Sequence, residues 1–141
     1  MNMASNIIAV TRTDLQRIKS LLHHDFVASF GDERTHLREL ARRLACANVV
    51  ESREMLPDVV TMNSTFKLFD LIRKESDTFT LVYPDEACIA EGKLSILSPL
   101  GTEVFGRRVG ESLSLQVLSG ETRKRVEQIF FQPERCGAFN L

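Results

Sequence analysis

The chain has 141 residues, 43% of them hydrophobic, and a formal net charge of −1. That length and apolar content support one domain with a buried core, or a small core with a helical appendage. Residues 1–50 carry seven Lys/Arg against five Asp/Glu, and residues 51–141 eleven against fourteen. This argues against the dense basic surface of an autonomous nucleic-acid binder, so DNA or RNA is expected only indirectly, through another protein.

No apolar run approaches the roughly 20 residues that span a bilayer. The start, MNMASNIIAV, lacks the basic residues and apolar length of a secretory leader, so a cytoplasmic protein is expected. Cys46, Cys88 and Cys136 form no CxxC pair. Their odd number fits a reducing compartment and buried structural thiols.

Residues 1–50 read as a short antiparallel helical hairpin. Thr13 and Gln16 have capping-box spacing, and Leu15, Ile18, Leu21 and Leu22 share a helical face. This first helix covers 13–24, about 18 Å. Residues 25–31 form the connection. Asp32 caps the second helix and Glu33 favours its first turn. Leu37, Leu40, Ala41, Leu44 and Ala45 form its stripe over 32–48, about 25 Å long.

Residues 48–57 connect to a second part, 51–141, where the period becomes strand-like. Val60, Met62, Ser64, Phe66 and Leu68 alternate with Thr61, Asn63, Thr65 and Lys67. Phe79, Leu81 and Tyr83 repeat the pattern after a turn at 70–77. Further strands fall at 94–99, 111–118 and 125–132, with a turn at Ser119-Gly120. One short helix fits between Pro99 and Gly110, with Leu100, Val104 and Phe105 toward the sheet and Glu103 toward solvent. The class is α+β: an antiparallel sheet of about five strands, covered on one face by that one short helix.

Chemical motifs are sparse. GTEVFGRR (101–108) has the glycine spacing of a phosphate loop, but Arg107-Arg108 replaces the Lys-[Ser/Thr] pair that phosphate and Mg²⁺ require. His23 and His24 diverge by about 100° on a helix, so with His36 they read as a solvated helix end rather than a metal site. No GxSxG elbow is present. No catalytic residue, metal or cofactor is expected.

MLPDVVTMN (55–63), LVYPDEACIAEGKLSILSPLG (81–101), VGESLSLQV (109–117) and IFFQPE (129–134) resemble the C-terminal, FKBP-like domain of the Gre transcription factors. Within that family the likeness is to the small Rnk branch, named for regulation of nucleoside diphosphate kinase. The resemblance implies a helical hairpin over 1–50 and a Gre C-terminal-like domain over 51–141. Absence of Trp separates the latter from true prolyl isomerases, so the fold is shared without their site.

The resemblance also implies a partner, RNA polymerase, at whose secondary channel the Gre C-terminal domain docks. The matching loop here offers Ser98, Pro99, Leu100 and Gly101. In Gre factors acidic residues at the tip of a long coiled coil help hold the catalytic Mg²⁺. Here the tip offers Asp25, Asp32 and Glu33 within DFVASFGDE, in place of a DLSEN-like motif. The hairpin is shorter, and capping alone explains Asp32 and Glu33. The implied function is a channel-docking modulator that competes with Gre factors without cleaving transcripts. An active cleavage factor and a regulator of nucleoside diphosphate kinase are the alternatives.

Overall fold

The computed structural model describes residues 7–28, 35–117 and 120–138. Two short strands lie where the sequence indicates only a run into the first helix and a connection after the second. β1 (Ala9–Thr11) pairs in parallel with β2 (Asn48–Val50). Both are rich in β-branched residues, which fit a pleated surface. A parallel pair needs a crossover, and α1 (Arg12–Ala28) and α2 (Thr35–Ala45) lie between the two strands.

Thr11, rather than Thr13, caps α1. Its Oγ1 accepts the Asp14 N–H at 3.1 Å. A cap residue needs extended backbone, and strand pairing gives Thr11 that conformation while Thr13 lies inside the helix. Ile18 and Leu22 are buried and Leu15 and Leu21 pack against the core, as the apolar stripe predicts. α1 continues through Ala28, so residues 25–28 are helix and not connection. α2 ends at Ala45, earlier than expected, because Asn48 enters β2.

The second part holds five strands: β3 (Thr65–Asp70), β4 (Glu75–Val82), β5 (Lys93–Ser95), β6 (Ser112–Val117) and β7 (Gly120–Phe131). Their order is β5-β4-β3-β7-β6; β5 joins β4 in parallel and the other pairs are antiparallel. A six-residue helix, α3 (Pro99–Val104), follows β5. The fold is a mixed α+β arrangement of three helices with this sheet. Phe66, Leu68, Leu81, Val126 and Ile129 share one core with Ile18, Leu37, Leu40, Val104 and Phe105.

Several strand boundaries differ from the sequence reading; β7 starts at Gly120 and not at 125, because residues 120–124 already pair with β6. Val60, Met62 and Ser64 are buried as the alternation predicts, but β3 starts only at Thr65. Residues 61–64 form a turn with Asn63 at φ +66°. Thr61 is buried, and its N–H is satisfied there by Ser64 Oγ at 3.0 Å. The turn after β3 is 71–74, since Glu75, Ser76 and Asp77 pair with Asp70, Phe69 and Leu68. β5 stops at Ser95 because Ser98 and Pro99 begin α3.

Candidate partner-docking site

The loop singled out by sequence is a helix cap. Ser98 Oγ accepts the Gly101 N–H at 3.0 Å and donates to the Ser95 carbonyl at 2.6 Å. Pro99 fills the first helical position, where no amide donor is needed. A Cβ on Gly101 would stand 2.0 Å from the Ser95 carbonyl oxygen, so the close approach of α3 to β5 requires glycine there. Of the four residues, Pro99 is exposed, Ser98 and Leu100 are half-buried, and Gly101 is buried. Leu100 packs against the core. Pro99, with parts of Ser98 and Leu100, is the surface that this loop presents.

Side chains of α2 hold the loop in place. His36 is half-buried and its Nε2 donates to the Leu97 carbonyl at 2.9 Å, which corrects the solvated reading of this histidine. Arg43 donates to the Thr102 carbonyl at 3.0 Å and to Glu103 Oε1 at 3.0 Å. Arg107 donates to Glu103 Oε2 at 3.1 Å. Glu103 therefore faces α2 and not solvent: one carboxylate joins two guanidinium groups and ties α2 to α3 and the turn that follows it.

Arg107-Arg108 hold no phosphate loop. Arg108 donates to Asp58 Oδ2 through two nitrogens at 3.0 and 2.9 Å. Gly106 sits at φ +81° in the turn after α3. The groove of about 530 Å³ beside these residues also draws on Arg42, Arg43, Glu39 and Glu111. With Glu103 and Asp58 as partners, its cations are matched by carboxylates.

Asp25 lies in the last turns of α1. Asp32 and Glu33 lie outside the described residues. Among the described residues no group of three or more His, Cys, Asp or Glu converges to hold a metal. Cys46 and Cys136 are exposed and Cys88 half-buried, all free, so the expectation of buried thiols is not met. Cys46 directly follows α2 and Cys136 lies in the turn region after β7, both beyond the apolar stripes that enter the core.

Sequence reasoning missed a carboxylate at the joint between the helices and the sheet. Asp14, 4% exposed, receives the Tyr83 hydroxyl on Oδ1 at 3.3 Å. Its Oδ2 is buried without a partner among the described residues. Burial, with the Glu134 carboxylate adding, pushes its pKa up to about 6 against the hydrogen bonds of Met62 and Tyr83 and the charge of Arg17. Glu134 in turn accepts the Thr61 hydroxyl at 2.7 Å. Thr11 with Asp14 is a legible cap spacing, but nothing local marks Asp14 as buried.

Residues 55–130 match the family profile described as "Transcription elongation factor, GreA/GreB, C-term". The chain belongs to the GreA/GreB family. It is 33% identical over 140 residues to the "Regulator of nucleoside diphosphate kinase" of Escherichia coli K12, covering 99% of this chain and 100% of that one. It is 37% identical over 101 residues to the "Transcription elongation factor GreA" of Dehalococcoides mccartyi, covering 72% and 65%. The solved GreA/GreB factor from Nitrosomonas europaea superposes with a TM-score of 0.73 at 29% identity, over 89% of this chain and 98% of that one. No helix among the described residues is long and apolar enough to cross a membrane.

Proposed function

We propose that this protein binds RNA polymerase at the secondary channel and competes there with Gre factors, without cleaving the transcript. The observation that carries the reading is the match of residues 55–130 to the GreA/GreB C-terminal model in a chain that is also alike end to end to a regulator of nucleoside diphosphate kinase. The sheet unit, 51–141, acts as the FKBP-like docking domain, with Pro99 and its neighbours Ser98 and Leu100 at the contact. The helical part, 1–50, acts as a hairpin at the channel mouth. At 17 residues α1 is about 25 Å long, short beside the Gre coiled coil, so Asp25, Asp32 and Glu33 stop short of the catalytic Mg²⁺. The protein acts as a binding module of the cytoplasm and not as an enzyme.

Adding purified protein to a backtracked polymerase complex and following RNA length tests the non-cleaving part. Unchanged RNA with demonstrated binding supports the reading; prompt shortening replaces it with an active cleavage factor. The name of the Escherichia coli relative favours a second reading, control of nucleoside diphosphate kinase. Phosphotransfer measured on the two purified proteins separates a direct effect from one exerted through transcription.

A further inference from the structure

The outer face of the sheet gathers cations and aromatics that lie far apart in sequence. On β3 the inward residues are Phe66 and Leu68, so Thr65, Lys67 and Phe69 point away from the core. Register then places Thr80, Thr78 and Ser76 of β4 beside them. Lys93 of β5 lies next to Thr80. On β7, Arg125 lies opposite Phe69, and Arg123 opposite Ser114 of β6.

Two register shifts enlarge this face. Between Thr65 and Phe66 the β7 partner jumps from Phe131 to Ile129, and between Lys67 and Leu68 from Gln128 to Val126. Each leaves two β7 residues opposite one on β3, as in a β-bulge. Burial accordingly falls at Val126, Ile129 and Gln132, three apart rather than two. Glu127 with Gln128, and Phe130 with Phe131, are turned outward in pairs. Phe130 is 49% exposed.

The face therefore carries Lys67, Lys93, Arg123 and Arg125 with three phenylalanines and a row of hydroxyls. Against the cations stand Glu127, 3.6 Å from Arg125, Glu91, 3.3 Å from Lys93, and the exposed Glu121 on the Arg123 side of β7; both ion pairs are exposed or half-exposed. Such pairs contribute little and can change partner. Lys67 and Arg123 have no carboxylate partner among the described residues. Arg125 lies 5.4 Å over the Phe69 ring, a cation on an aromatic platform.

We propose that this sheet face binds single-stranded nucleic acid. Phosphates meet the four cations and bases stack on the exposed Phe130 and on the Arg125 guanidinium that caps Phe69, which are the two elements of a strand-binding surface without sequence preference. This departs from the expectation drawn from composition, because the fold concentrates on one face what a net charge of −1 conceals. The inference does not rest on polymerase binding, and free oligonucleotide tests it directly.

Fluorescence anisotropy of labelled oligo(U) and oligo(dT) with the full chain at low salt is the experiment. Saturable binding is expected, with a log–log salt slope of about −3 for four neutralised phosphates. Lys67→Glu with Arg123→Glu should weaken it by more than about 10-fold, and Phe130→Ala by about 5-fold or more. The control pair Arg12→Glu with Arg53→Glu makes the same charge change elsewhere and should leave most of the affinity. Tighter oligo(U) names RNA as the ligand and tighter oligo(dT) names DNA; either supports the proposal. No binding of either strand, or equal loss in the control pair, overturns it.

Discussion

Arg43 of α2 donates to Glu103 of α3 at 3.0 Å across 60 residues of sequence. Arg107 takes the other carboxylate oxygen at 3.1 Å. The pairing links the helical part to the sheet part at the helix that bears the candidate docking loop.

Removing that carboxylate takes one charged partner from each of two part-buried guanidinium groups, leaving Arg43 with Glu39 at 3.6 Å and Arg107 with a backbone carbonyl. Glu103→Ala should cost about 2 kcal/mol, because a lost partner leaves the remaining charges desolvated. Thermal unfolding should fall by roughly 4–8 °C. Glu103→Gln, which keeps an acceptor, should lose less. An unchanged midpoint for the alanine variant would remove the clamp from the account.

Asp14 makes stability depend on pH in an unusual direction for a carboxylate. Its folded pKa is about 6, above the ordinary 3.8. The folded state therefore holds the proton more tightly than the unfolded chain. The favourable contribution is full below about 3.8 and is lost as pH rises through 6, a change on the order of 3 kcal/mol. Asp14→Asn should flatten that part of the profile and be the more stable protein at pH 8. Urea unfolding of both proteins between pH 4 and pH 8 checks this.

Gly101 is fixed by geometry and not by a partner. Gly101→Ala places Cβ against the Ser95 carbonyl. Backbone must shift, so a loss of about 1–3 kcal/mol is expected, as for other overpacked sites. Chemical denaturation of the purified variant measures it; a neutral result would mean that α3 moves freely relative to β5.

Pro99 separates docking from folding. It is exposed at the first turn of α3, where an acidic residue is well tolerated. Pro99→Glu should leave the melting temperature within a few degrees and weaken polymerase binding by about 10-fold or more, a loss of about 1.4 kcal/mol. Equal affinity would move the contact away from this loop.

Much of the core was legible because period survives local irregularity. Leu37, Leu40 and Leu44 lie buried on one helical face, as their spacing says. Phe66 and Leu68 alternate inward as a strand requires. The short helix after Pro99 was legible from its proline and from Val104. β1 and β2 were not, because three-residue strands carry too few residues to show a period. The inward face of β7 shows no period in the sequence for another reason: its bulges turn a two-residue alternation into burial every third residue, so Phe130 and Phe131 both face outward. Glu103 reads as a surface group and Asp14 gives no signal, because the residues that pair them, Arg43 and Tyr83, are 60 and 69 positions away.

Binding of fluorescently labelled protein to core RNA polymerase, with a Gre factor as competitor, tests the central claim most directly. Saturable binding that excess Gre factor displaces is expected. No binding at low or moderate salt, or binding that excess Gre factor leaves untouched, would contradict docking at the secondary channel.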